Sequence, residues 1–213
     1  MNIHGTIKTA DTLSIITPEM ALELLKEGNK RFVTQQMIKR DHKEHVRNTI
    51  DGQHPFAVIL SCIDSRVVPE FIFDQGIGDL FITRIAGNII NRNILGSMEY
   101  ACAVTGSKLV VVLGHTSCGA VKGAVDNVQL GNLTDALRPI KKAIKEVSIS
   151  QFKMRTSKNT AFVNAVATVN VELAINDIKR QSPVLSKMYE KEKIDIVGAM
   201  YDHTTGVVEF SSQ

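Results

Sequence analysis

Four short, largely apolar runs punctuate the chain: Phe56 to Leu60, Leu80 to Ile85, Leu109 to Leu113 and Ile194 to Met200. Runs of this length without regular polar alternation predict parallel strands buried on both faces. The segments between them follow helical spacing instead, over Ile94 to Val104, Thr134 to Val147 and Ala161 to Ile178. The predicted fold class is therefore α/β: a central, mostly parallel sheet flanked by helices. Ahead of the first strand, Thr17 and Pro18 supply an N-cap and a first helical residue, and Ala21, Leu22, Leu24, Leu25, Phe32 and Val33 mark one apolar face. This predicts an N-terminal helical arm in residues 1–50, before a core in residues 51–213. Leu22, Leu25 and Phe32 need a surface to cover, and a neighbouring subunit is the expected one. His203-Thr204-Thr205-Gly206 reads as a turn into a last short strand, Val207 to Phe210. No repeat, linker or low-complexity tract divides the chain, so a single domain is expected.

Composition removes several classes of function. The chain is 44% hydrophobic and 22% charged, with 25 basic against 22 acidic residues, as in ordinary water-soluble proteins. Its most basic segment, Lys39 to Arg47, interleaves acids with bases, and there is no Trp. No nucleic-acid partner is expected from such a surface. No apolar run approaches the roughly 20 residues that span a bilayer, so no membrane association is expected. Met1 to Thr6 lack the charged and apolar regions of a secretory signal, and a cytoplasmic location is expected. The three cysteines, Cys62, Cys102 and Cys118, form no C-x-x-C pair; an odd number of this kind suits ligands, nucleophiles or core residues better than disulfides.

Two of the four strands run directly into metal-binding residue types. Ser61-Cys62-Ile63-Asp64-Ser65-Arg66 follows the first, and Gly114-His115-Thr116-Ser117-Cys118 follows the third. Ligands of open parallel sheets bind beyond the carboxyl ends of the strands, so adjacency of these two would bring Cys62, His115 and Cys118 together. Two thiolates and an imidazole are favoured donors of Zn²⁺, and three protein ligands leave the fourth position that catalytic sites keep open. Thr116 and Ser117 allow one turn to aim both side chains inward, with Gly114 and Gly119 letting the backbone close. Asp64 shares the face of Cys62 in an extended segment, and Arg66 continues that spacing and can grip the carboxylate. Coordination by Asp64 would shut the fourth position; release to Arg66 would free it. Two thiolates also leave bound water less acidified than three histidines would, which predicts activity rising through alkaline pH. Cys102 lies in a helical pattern and reads as core. Gly76-Ile77-Gly78 and Gly114 to Gly119 approach phosphate-loop spacings without completing either one.

The pair of motifs, C-x-D-S-R at Cys62 to Arg66 and H-x-x-C-G at His115 to Gly119, resembles the signature of the β-class carbonic anhydrases. The resemblance extends from about Gln53 to Phe210 and includes Gly78-Asp79-Leu80-Phe81, Ala86-Gly87-Asn88 and Val197 to Asp202. It implies one Zn²⁺ per subunit on Cys62, His115 and Cys118, with Asp64 and Arg66 as the catalytic dyad orienting a metal-bound hydroxide. The implied reaction is reversible hydration of CO₂ to bicarbonate and a proton. Gln53, Phe81, Tyr100 and Gly119 are implied substrate-binding residues, the first three acting across a dimer interface as in the plant-type branch. The implied assembly is a homodimer or a dimer-based oligomer. The branch with a non-catalytic bicarbonate site carries an N-terminal Trp that is lacking here, which implies the open, non-allosteric form. Ile85 departs from the Asn of many relatives. Two rival readings of the same motifs are hydrolysis of CS₂ or COS, and a non-enzymatic zinc protein whose fourth position is filled by Asp64.

Overall fold

A computed structural model describes Gly5 and residues 8–211. In chain order the elements begin with α1 (Ala10–Ile15), α2 (Pro18–Val33), α3 (His42–Asn48), β1 (Ala57–Ser61), α4 (Pro69–Ile72) and β2 (Leu80–Arg84). They continue with α5 (Arg92–Glu99), β3 (Leu109–His115), α6 (Gly119–Val125), α7 (Gly131–Ala136) and α8 (Ile140–Glu146), and end with α9 (Thr160–Gln181), α10 (Pro183–Glu190), β4 (Asp195–Tyr201) and β5 (Val208–Phe210). Among the described residues no helix is long and apolar enough to cross a membrane.

The strands form one sheet in the order β2-β1-β3-β4-β5, the first four parallel and β5 antiparallel to β4. Every residue of β1 and β3 is buried, because both faces of the sheet are covered. Ile59, Val111 and Leu113 pack with Leu24, Leu25 and Phe73 on one face. Val58, Leu60, Val110 and Val112 pack with Met98, Ile178 and Leu185 on the other. The apolar runs are thus two alternating sets, each with its own layer of helices. From β1 the chain steps one way to β2 and from β3 the other way to β4, so the order reverses between β1 and β3. A crevice opens at such a point beyond the carboxyl ends of the strands.

Local chemistry sets most element ends. Thr17 caps α2 by accepting from the Met20 N–H at 3.2 Å, with Pro18 in the first turn. Asn91 caps α5 through the Ile94 N–H at 2.9 Å. The helix expected over Ile94 to Val104 therefore starts earlier, and its last turn, Tyr100–Val104, is widened to a π turn. The helix expected over Thr134 to Val147 is two helices. Pro139 has no N–H to continue the ladder, and a tighter turn, with the Arg138 N–H on Asp135 O and the Ile140 N–H on Leu137 O, separates α7 from α8.

The N-terminal helices pack on the chain's own core. Leu25 is fully buried in the core, and Leu22 and Phe32 pack against the same cluster. Polar groups lock this arm down. Asn29 Nδ2 donates to Ile72 O at 3.1 Å and Gly206 O at 3.0 Å, and its Oδ1 accepts from the Val208 N–H at 2.8 Å. The buried Asp74 carboxylate takes Arg31 at 2.5 Å and also Arg40.

Candidate metal centre

β1 and β3 are neighbours, with Ser61 opposite Leu113, so their ends deliver Cys62 and His115 side by side. Cys118 follows through a turn in which Ser117 adopts φ 55°, stabilised by its N–H donating to Asn164 Oδ1 at 2.8 Å. The left-handed residue of this turn is a serine, and neither flanking glycine supplies that conformation. A Cβ on Gly114 would meet Val171 Cγ2 at 2.6 Å and Met200 Sδ at 2.7 Å, whereas one on Gly119 would meet nothing within 4 Å. Gly114 therefore admits α9 and β4 close to the strand, and Gly119 faces open space.

The donor atoms of Cys62, His115 and Cys118 lie within 4.8 Å of one another, and all three residues are buried. The sulfurs are 4.0 Å apart, close to the ~3.8 Å spanned by two Zn–S bonds of about 2.3 Å at a tetrahedral angle. His115 Nδ1 is engaged by Thr116 O at 3.0 Å, while buried Nε2 has no hydrogen-bond partner among the described residues. An unpartnered buried nitrogen beside two thiols is costly unless something accepts its lone pair, and the three donors fit a soft divalent metal such as zinc. The thiols also differ. Cys62 is drawn well below the usual thiol range, chiefly by the Cys118 thiol, with the Gly87 N–H on its sulfur at 3.4 Å. Cys118 is pushed up by that same pairing and by burial. Gly87 holds φ 71°, and a Cβ there would strike Ile140 Cδ1 at 2.6 Å, so the turn over Cys62 needs glycine.

The extended spacing from Cys62 reaches Asp64 and stops there, which corrects the geometry expected for Arg66. The Val67 N–H donates to Asp64 O at 2.9 Å, forming a turn, and this turn folds Arg66 back onto the carboxylate. Arg66 Nε donates to Oδ1 at 2.9 Å, Nη2 to Oδ2 at 2.8 Å, and the backbone N–H to Oδ1 at 3.0 Å. These bonds hold Asp64 well below the usual carboxylate range. Its Oδ2 is 4.0 Å from His115 Nε2. Arg84, at the end of β2, fixes the backbone beneath by donating to Cys62 O at 3.0 Å and to Asp64 O at 2.6 Å. A cavity of about 460 Å³ adjoins this cluster, lined by Cys62, Asp64, Gly119, Val128, Leu133 and Leu137.

Gln53, Phe81 and Tyr100 are not brought to this cluster within one chain. Phe81 pairs with Val58, four residues short of Cys62, or about 13 Å back along the strand. Its ring meets Tyr100 edge-on, with centroids 6.1 Å apart, beside a separate cavity of about 610 Å³ on the β2 side of the sheet. Gln53 is exposed and precedes the other end of β1. Ile85 is half-buried and packs between two core clusters. The sequence pattern did not single out Arg84, Asn164 or His203. A basic residue at a strand's carboxyl end was the available signal for Arg84, while the other two depend on distant contacts.

Residues 57–208 match the family model described as carbonic anhydrase. "Carbonic anhydrase 2" of Mycobacterium tuberculosis is 36% identical over 190 residues, covering 89% of this chain and 90% of that protein. The carbonic anhydrase of Mycolicibacterium smegmatis is 34% identical over 196 residues, covering 92% and 94%. The crystal structure of the β-carbonic anhydrase CafA of Aspergillus fumigatus superposes with a TM-score of 0.72 at 26% identity, covering 91% of this chain and 90% of that one. With the family model spanning most of the chain and relatives matched nearly end to end, this protein belongs to the carbonic anhydrase family, in its β class.

Proposed function

We propose that the protein catalyses the reversible hydration of CO₂ to bicarbonate and a proton, using zinc held by Cys62, His115 and Cys118. The observation that carries this reading is the buried, unpartnered Nε2 of His115, grouped with two thiols beside an arginine-gripped carboxylate and an apolar cavity. Zinc, when bound, acidifies water enough to supply a nucleophile near neutral pH. The residues of the chain do the rest. Asp64, kept ionised by Arg66, is the acceptor that orients the attacking water, and its acceptor-only carboxylate selects the lone pair turned toward carbon. Val128, Leu133 and Leu137 make the adjoining cavity suitable for a nonpolar gas. Gln53, Phe81 and Tyr100 of a second copy complete the pocket, because one chain keeps them away from its own cluster. The grip of Arg66 on both carboxylate oxygens favours an open fourth position over a scaffold permanently closed by Asp64.

Stopped-flow CO₂ hydration at about pH 8.5, on protein of measured zinc content, tests the proposal. Turnover that disappears on chelation and returns with zinc is the expected result. Zinc-replete protein without turnover would refute it.

A further inference from the structure

The turn between β4 and β5 carries His203 to the flank of His115. His203 Nε2 lies 2.9 Å from His115 Nδ1, the ring nitrogen other than the unpartnered Nε2. The approach is built from several contacts. The His203 N–H donates to Thr116 Oγ1 at 3.1 Å, and the Thr116 N–H donates to Tyr201 O at 3.0 Å. The His203 ring stands edge-on between Tyr201, at 5.2 Å and 86°, and His115, at 4.9 Å and 65°. Asp202 closes the turn, accepting from the Thr204 N–H at its Oδ1 and from the Gly206 N–H at its carbonyl.

An imidazole that gives its Nε2 lone pair to a metal must carry its proton on Nδ1, and the partner of that proton sets both tautomer and ring orientation. In this chain the proton has two possible acceptors, Thr116 O at 3.0 Å and His203 Nε2 at 2.9 Å. We infer that His203 is a positioning residue for His115: by accepting from Nδ1–H it holds the ring with Nε2 turned to the thiols and strengthens the grip on zinc. The inference rests on reading Cys62, His115 and Cys118 as the zinc site. His203 touches neither substrate nor metal in this role. It acts through one ligand, and its half-exposed place in a turn makes it replaceable without disturbing the core.

The test compares zinc-loaded parent, His203→Ala and His203→Gln by the rate at which zinc passes to a chromogenic chelator, with folding checked by circular dichroism. His203→Ala is expected to release zinc about 10- to 100-fold faster. His203→Gln, whose carboxamide oxygen can accept from Nδ1–H, is expected to recover most of that loss. A second measurement needs no variant: ¹⁵N NMR of the zinc-loaded parent should show scalar coupling between His115 Nδ1 and His203 Nε2 through the shared proton. Release from His203→Ala at the parent rate would overturn the inference, and so would absence of the coupling. Equal loss in both variants would overturn the acceptor role in favour of ring packing. A parent that takes up no zinc would instead refute the metal-site reading, so the two failures are separable.

Discussion

Asp64 shows how a single residue is prepared for its task. Its folded pKa lies below the ordinary value of about 3.9, so its contribution to stability is present above that value and fades only as the pH falls through the depressed one. At neutral pH the carboxylate is charged and acts only as an acceptor. Asp64→Asn keeps the shape, adds a donor and removes the charge; it should retain zinc and lose turnover by about 10²-fold or more, read by stopped-flow assay beside metal analysis. Parent-like turnover would remove Asp64 from the mechanism. Cys102 stands at the opposite extreme, pushed up to about 12 by burial alone. Its raised folded value means that the stability it contributes is full below an unfolded pKa of about 8.5 and declines as the pH climbs toward the folded one. The expected outcome is resistance of Cys102 to iodoacetamide at pH 8 in the folded protein, checked by peptide mass spectrometry. Gly119 makes a third case. A methyl group there meets open space beside the apolar cavity, so Gly119→Ala should fold like the parent while narrowing the approach to the cluster, seen as reduced kcat/KM at unchanged melting temperature.

At the scale of elements, the docking of α2 combines an apolar stripe with a buried charge. Leu25→Ala should cost about 2–5 kcal/mol, and Asp74→Ala about 3–5 kcal/mol, because Arg31 and Arg40 then face each other without their anion. Urea unfolding measures both, and losses under 1 kcal/mol would mean that the arm is not integral to the core. The central strands were legible in the sequence because parallel strands covered on both faces leave uninterrupted apolar runs, whereas β2, expected to be buried on both faces, is a half-buried edge strand whose run includes Thr83 and Arg84; the observed strand ends lie within two residues of the predicted ones. The metal-type cluster was legible because its residues sit in short motifs at two strand ends. What sequence spacing missed depends on chain reversal. The turn at Asp64 decides where Arg66 goes, Pro139 breaks a pattern that looks continuous by periodicity, and His203 meets His115, 88 residues away in sequence, only because β3 and β4 are neighbours.

Among the described residues the β2 edge of the sheet is unpaired, with Phe81 and Tyr100 beside it and Gln53 ahead of the far end of β1. The proposed sharing of the pocket between copies makes a prediction that no single chain can imitate. Cys62→Ser and Gln53→Ala should each be nearly inactive alone. Hybrid dimers of the two should recover about half the parent turnover per dimer, since one of two sites then has Cys62 and Gln53 intact, contributed by different chains. No recovery in hybrids verified by mass would place the pocket within one chain.

The three hydrogen bonds of Asn29 also bear on how the molecule comes into being. Two of them join α2 to the β4–β5 turn and to β5, 177 and 179 residues further along, so during synthesis at about 5–20 residues per second the helix waits roughly 10–35 s for its berth to emerge. Over that interval Leu24 and Leu25 belong to no finished core. The berth of α2 is complete only once the small β4–β5 turn is in place, so one turn both holds the arm through Asn29 and carries His203 to His115.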